Sequence, residues 1–276
     1  MIPTGRSFYK MSGSGNDFVM VDARRAPPGD LAKPDVIRRV CARATGVGAD
    51  GIVFLEPSSV ADVRLTYLNA DGSRAEFCGN ATLCTTRLAT ELGMAGGATS
   101  ELRIETDSGV VSARMGTLGA EIDLPPVTEV EAARVLPLAP GERQMGFAVV
   151  GVPHLVIECD DVSTIDVVGR GRPLRHDPGF PRGANVSFVS AAGGRWRMRT
   201  YERGVEAETL ACGSGAVAVA ILLTVWNRAT GVVELETSSG RTLRVRLERS
   251  GGVGGAWIPT LSGEARVVFQ GTLSES

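Results

Sequence analysis

Lysine and histidine are scarce in this 276-residue chain: Lys10 and Lys33 are its only lysines, and His154 and His176 its only histidines. Neither lysine sits in a convincing phosphate-loop context, so nothing points to a cofactor anchored on a lysine. The two histidines lie far from each other and from most of the cysteines, and no CxxC pair occurs, which argues against a structural zinc site. Five cysteines, an odd number, do not make a disulfide framework. No apolar run approaches the ~18 residues of a membrane span. A net charge of −2 without a basic stripe removes nucleic acid from the expected partners. The first ten residues lack the apolar stretch of a signal peptide, so cytoplasmic residence with reduced thiols is the expectation. What is present, 43% hydrophobic and 22% charged residues, suits one large or two medium domains acting on a small molecule.

Strand character appears at Phe18 to Val21, Gly51 to Leu55, Val63 to Tyr67, Leu155 to Ile157, Val186 to Val189 and Leu243 to Leu247, each set off by Gly or Pro. Helical patterning is rarer. It covers Asp35 to Ala44 and two longer stretches that begin just after a Cys-Gly step, Asn80 to Leu92 and Ser214 to Asn227.

The two halves repeat each other. Phe77-Cys78-Gly79-Asn80-Ala81 has a counterpart in Ala211-Cys212-Gly213-Ser214-Gly215, and Ile104 to Gly109 (IETDSG) one in Leu235 to Gly240 (LETSSG). Gly15-Asn16 and Gly151-Val152 hold similar places before a strand. The offset stays near ~134 residues, far longer than a solenoid repeat. The chain is therefore expected to be α/β (α+β), two pseudo-symmetric domains, each a mostly antiparallel curved sheet around a central helix. The domains are expected at 1–127 and 128–264, divided near Pro125-Pro126, with the last strand, 265–276, free to join the first.

In each repeat the Cys-Gly step stands where a loop turns into a helix, close to free backbone N–H groups and the positive end of the helix dipole. That setting acidifies a thiol, whose ordinary pKa is ~8.5. The same N–H groups can hold a carboxylate. If the pseudo-two-fold relation brings both helix starts to one cleft, an amino-acid α-carbon lies between two sulfurs. One thiolate can then take its proton while the other thiol delivers one to the opposite face. Many racemases stabilise the resulting carbanion with pyridoxal phosphate on a lysine; with Lys10 and Lys33 unsuited, the dual-thiol route remains and no cofactor is expected. Cys41, Cys84 and Cys159 read as small buried hydrophobes.

With these residues in view, the chain resembles the diaminopimelate epimerase family. The resemblance is carried by Lys10 to Phe18 (KMSGSGNDF), Thr45 to Gly51 (TGVGADG), Asn69 to Ser73 (NADGS), Glu76 to Asn80 (EFCGN), Gly151 to His154 (GVPH), Asn185-Val186, Tyr201 to Gly204 (YERG) and Glu208 to Gly215 (ETLACGSG). It implies paired α/β domains with the active site in the interdomain cleft, a homodimer, and Cys78 and Cys212 as the acid/base pair. It further implies that Gly79-Asn80 and Gly213-Ser214 receive the reacting carboxylate, and that His154 and Glu202 orient or tune the thiols. Asn69, Asn185 and Arg203 would hold the distal carboxylate, Glu202 would help with the distal amine, and Asn16 would line the site. An Arg fork suits a carboxylate and an amide suits either polar group. Taken alone, Asn16 would read as a turn residue and His154 as a structural histidine.

Gly51 stands where the family commonly has Gln, and Val152 where it commonly has Asn; both changes touch binding rather than proton transfer. A racemase of another polar amino acid, such as histidine, built on the same thiols is one rival. A non-catalytic amino-acid-binding or thiol redox protein is the other, and it would tolerate loss of one cysteine.

Overall fold

The computed structural model describes residues 3–75, 77–94, 101–251 and 254–274. The chain divides into two compact units, Met1–Ile122 with Ser262–Ser276, and Asp123–Leu261. The division thus falls a few residues before Pro125-Pro126, and again inside the last but one strand rather than at residue 264.

In the first unit, β1 (Ser7–Gly13) and β2 (Asn16–Asp22) form a hairpin, α1 (Pro34–Cys41) follows, and β3 (Gly51–Glu56) and β4 (Val63–Asn69) form a second antiparallel pair. A short β5 (Arg74–Ala75) leads to α2 (Gly79–Glu91), then β6 (Glu101–Thr106), β7 (Gly109–Gly116) and β8 (Gly119–Asp123). β2 and β3 run parallel, as do β4 and β6, and the remaining pairings within the unit are antiparallel, including that of β1 with the final strand, β18 (Ala265–Thr272).

The second unit repeats this order. After β9 (Val130–Glu131), the hairpin of β10 (Glu142–Val150) and β11 (Val152–Cys159) precedes α3 (Val167–Arg175), followed by β12 (Asn185–Ala192), β13 (Arg195–Glu202) and β14 (Ala207–Thr209). Then come α4 (Gly213–Val225), β15 (Val233–Glu236), β16 (Thr242–Arg249) and β17 (Trp257–Gly263), whose last two residues belong to the first unit. β11 lies parallel to β12 and β13 parallel to β15, matching the two parallel pairs of the first unit. The duplication read from short motifs is a duplication of sheet pairing.

The central strands of each unit bury both faces. Strand residues alternate sides, and in the second unit Leu155, Ile157, Val186, Phe188 and Tyr201 pack with Val167 and Leu174 of α3 in one apolar cluster. Their neighbours of opposite parity, including His154, Asn185 and Ser187, look the other way. In the first unit Val19, Val21, Ile52, Phe54 and Leu68 likewise meet Val36, Ile37 and Val40 of α1. α4 is apolar on every side, with Gly215 to Leu223 buried without interruption, as a helix enclosed by its surroundings must be. α2 is buried from Gly79 to Thr86 but carries threonines; Thr82, Thr86 and Thr90 donate to the carbonyls of Cys78, Thr82 and Thr86, satisfying their hydroxyls within the helix.

Candidate active site

Cys78 and Cys212 are the N-cap residues of two helices of 13 residues each, with nearly the same extended backbone: φ −141°, ψ 110° at Cys78 and φ −129°, ψ 110° at Cys212. Neither sulfur caps its own helix, and neither helix has an acidic residue in its first turn. The early N–H groups and the dipole are thus not neutralised by a side chain at the position where Asp or Glu would serve stability. Both features favour an incoming anion.

In the second unit the surroundings of Cys212 are partly polar. Thr200, Thr209, Thr237 and Ser238 stand close to it, with the apolar Met198, Leu210 and Ala211 among them. Ser214 Oγ lies 3.7 Å from its sulfur, and Ser187 Oγ and Thr200 Oγ1 are bonded to each other at 3.0 Å. Gly215 marks a close approach: a Cβ there would come within 3.1 Å of Cys212 Sγ and 3.2 Å of Ser187 Oγ. Ser187 therefore faces the start of α4, and strand alternation puts His154, Asn185, Thr200 and Glu202 on that same face, because His154 pairs with Asn185 and Ser187 with Thr200. The Asn185 Oδ1 oxygen accepts the backbone N–H of Arg203 at 2.7 Å, the Arg203 guanidinium donates to the carbonyl of Arg182 at 3.0 Å, and Glu202 Oε2 accepts from Thr209 at 2.8 Å.

His154 is fully buried, and neither ring nitrogen has a hydrogen-bond partner among the described residues. Burial, with a smaller contribution from the positive charge of Arg203, depresses its pKa to about 3. The ring is accordingly neutral near pH 7, with one donor and one acceptor nitrogen to offer. The equivalent place in the first unit, paired with Gly51 as His154 is with Asn185, holds Phe18, which stacks edge-on against Tyr67.

The first unit surrounds Cys78 differently. Asn80, the second residue of α2, donates from Nδ2 to Asn16 Oδ1 at 2.6 Å, and Asn16 donates from its own Nδ2 to Asp50 at 2.9 Å. Asp50 also receives the backbone N–H of Asp17 at 3.1 Å and the guanidinium of Arg43. Asp17 receives Arg43 and the ammonium of Lys10; its partial burial works against ionisation, but the bonds from Arg43 and Lys10 prevail and hold its carboxyl below the usual range. Lys10, itself buried, needs such a partner. Asn69 closes β4, paired opposite Gly51, and donates to Ser73 Oγ at 3.0 Å. Glu76 lies outside the described residues.

The other cysteines are held in the thiol form. Burial pushes Cys41 up to about 11 and Cys159 up to about 12; it raises Cys84 as well, with the nearby Cys78 adding to the effect. None of the five cysteines is in a disulfide. Among the described residues no group of three or more His, Cys, Asp or Glu side chains is placed to hold a metal ion, and no helix is long and apolar enough to cross a membrane.

Two departures from the family pattern have structural settings. A Cβ at Gly51 would meet the Leu68 carbonyl at 2.4 Å and the Tyr67 ring at 2.5 Å, so Tyr67 fills the space a Gln would enter. Val152 opens β11 opposite Val150, directly after the turn at Gly151. The residues that sequence reading did not single out are Asp50, Arg43, Tyr67, Ser187 and Thr200. The first lay within the quoted block around Gly48-Ala49-Asp50, but a carboxylate beside glycines carries no sign of what it holds.

Residues 8–124 and 146–252 match the family model described as diaminopimelate epimerase. A diaminopimelate epimerase of Gemmatimonas aurantiaca is 47% identical, covering 97% of this chain and 99% of the relative. One from Aquifex aeolicus is 37% identical, with 97% and 98% covered. Among solved structures, a Bacillus anthracis phenazine biosynthesis protein of the PhzF family superimposes with a TM-score of 0.75 at 14% identity, covering 99% of this chain and all of that one, which shows a shared fold.

Proposed function

The chain belongs to the diaminopimelate epimerase family, and from that premise we propose that it interconverts LL- and meso-diaminopimelate without a cofactor, with Cys78 and Cys212 as its two proton-transferring groups. It is thereby an isomerase of lysine and peptidoglycan precursor synthesis. The observation that carries the reading is one motif present twice: a cysteine at the N-cap of a 13-residue helix, extended backbone, and a first turn free of acidic side chains.

In the proposed reaction the carboxylate of the reacting centre binds the first-turn N–H groups at Gly79-Asn80 and Gly213-Ser214. One cysteine, as thiolate, takes the α-proton from one face, and the electron pair left on carbon delocalises into that carboxylate. The other cysteine, as thiol, gives its proton to the opposite face. Charge and atoms balance: the first sulfur ends protonated and the second ionised, so the return reaction uses the pair in reverse. His154, kept neutral, and Glu202 tune the thiols; Asn69, Asn185 and Arg203 bind the distal carboxylate, Glu202 the distal amine, and Asn16 supports the cysteine side of the first unit. We further propose that the enzyme works in the cytoplasm as a homodimer, which light scattering would test against the 28.9 kDa monomer mass.

The deciding assay is conversion of LL-diaminopimelate to the meso isomer under reducing conditions with no added cofactor. Absence of conversion, or preference for histidine or another polar amino acid in a panel, overturns the substrate assignment. Cys78→Ala and Cys212→Ala should each abolish inversion; one active single variant excludes the paired-thiol chemistry and favours a binding or redox protein.

A further inference from the structure

Asn80 is 2% exposed, and its Oδ1 oxygen is buried without a hydrogen-bond donor among the described residues. A buried acceptor left in this way carries its full desolvation penalty. Which atom of the amide is left over is set at the other end of a short chain of side chains. The Asp50 carboxylate can only accept, and it is fixed by the Asp17 N–H and by Arg43. Asn16 must therefore turn its Nδ2 toward Asp50 and its Oδ1 toward Asn80. Asn80 must answer with Nδ2, and its oxygen is what remains.

We propose that Asp50 is a positioning residue that fixes the direction of the Asn16–Asn80 amide chain, so that the residue two after Cys78 presents an acceptor oxygen to an ammonium group of the substrate. The inference rests on the amino-acid epimerase reading above. Its logic is complementarity: the helix N–H groups suit the carboxylate, and an amide turned the other way would set a donor against a cation. Asp50 touches no substrate in this scheme. It acts through two amides, which makes the effect one of polarity rather than of packing.

The test is a four-protein cycle of wild type, Asp50→Asn, Asn80→Asp and the double variant, read as KM and kcat separately. Asp50→Asn removes the fixed acceptor and should raise KM by about tenfold, the usual weight of one hydrogen bond to a charged group, with kcat nearly kept. Asn80→Asp sets an acceptor at both ends of Asn16 and should cost more. In the double variant the amide introduced at position 50 can accept from, or donate to, Asn16 as needed. Asn16 is then free to reverse, and it donates to the carboxylate introduced at position 80. The double should therefore recover at least about tenfold in kcat/KM over Asn80→Asp alone. Costs that simply multiply, or a fall in kcat with KM unchanged, overturn the proposal. As a readout independent of turnover, the side-chain NH₂ of Asn80 should exchange with solvent about tenfold faster in Asp50→Asn than in wild type; unchanged exchange also overturns it. An inactive wild type would remove the functional reading, whereas the exchange measurement would still decide the positioning role.

Discussion

Replacing Gly215 by alanine separates catalysis from stability, because turnover should fall while the melting temperature stays close to that of wild type. The new methyl carbon would stand 3.1 Å from Cys212 Sγ, 3.2 Å from Ser187 Oγ and 3.3 Å from Cys212 Cβ. Non-bonded carbon contacts prefer about 3.5–4.0 Å, so the thiol, at the shortest of the three distances, has to yield by a few tenths of an ångström. Helix propensity works the other way: alanine in the helix interior is favoured over glycine by about 0.5–1 kcal/mol. Part of that gain is consumed by the contact, leaving the melting temperature within a few degrees of wild type. A reacting sulfur displaced on this scale should cost about 3- to 10-fold in kcat, since misplacement by 1 Å costs about 100-fold. The assay is α-hydrogen exchange of diaminopimelate beside a thermal melt of the same sample. Wild-type turnover in a folded Gly215→Ala protein would refute the placement of Cys212 as a reacting group.

Burial governs two further outcomes. His154→Leu removes two buried nitrogens without partners and should raise the melting temperature, by about 2–4 °C for each 1 kcal/mol gained in a chain of this size, while turnover falls. The folded-state pKa of His154, about 3, lies below its ordinary value of 6.5, so the unfolded chain binds the extra proton first. This residue therefore costs stability as pH falls from 6.5 toward 3, by at most about 1.4 kcal/mol per pH unit, and equilibrium unfolding against pH should lose that slope in the variant. Brief iodoacetamide treatment of the native protein should label Cys78, which is half-buried, before Cys41, Cys84 or Cys159, whose thiols burial keeps protonated. Mass spectrometry that finds Cys84 alkylated first would contradict the assignment of roles.

The sequence disclosed the fold where a motif had to recur in the same place. Both Cys-Gly steps open helices, both IETDSG-type segments are a strand followed by a tight turn, and the apolar runs lie inside β2, β3, β4, β11, β12 and β16. It concealed α3, because Gly169, Gly171 and Pro173 break the helical pattern, while the Asp166 carboxylate accepts from the Gly169 N–H at 2.9 Å and caps the helix from outside it. It concealed β5 and β14 for another reason: segments of two and three residues have no periodicity to read.

At the site, the residues facing the start of α4 could be collected only once β11, β12 and β13 were in register, since His154, Ser187 and Thr200 are far apart in the chain. Gly51 shows the limit most clearly. In sequence it is a lost side chain, whereas in the fold its missing Cβ admits the Tyr67 ring. The direction of the Asn16–Asn80 amides is of the same kind, fixed by a carboxylate more than thirty positions away from Asn16.

The central claim, that two thiols act from opposite faces of one carbon, is tested most directly by where deuterium goes. LL-diaminopimelate incubated in D₂O with the enzyme, reducing agent and no cofactor should give meso product whose inverted α-carbon carries deuterium from its first appearance, while the unreacted LL pool stays protiated. Product that retains the original proton, or an LL pool that takes up deuterium as fast as product forms, would show one base serving both faces and would contradict the account.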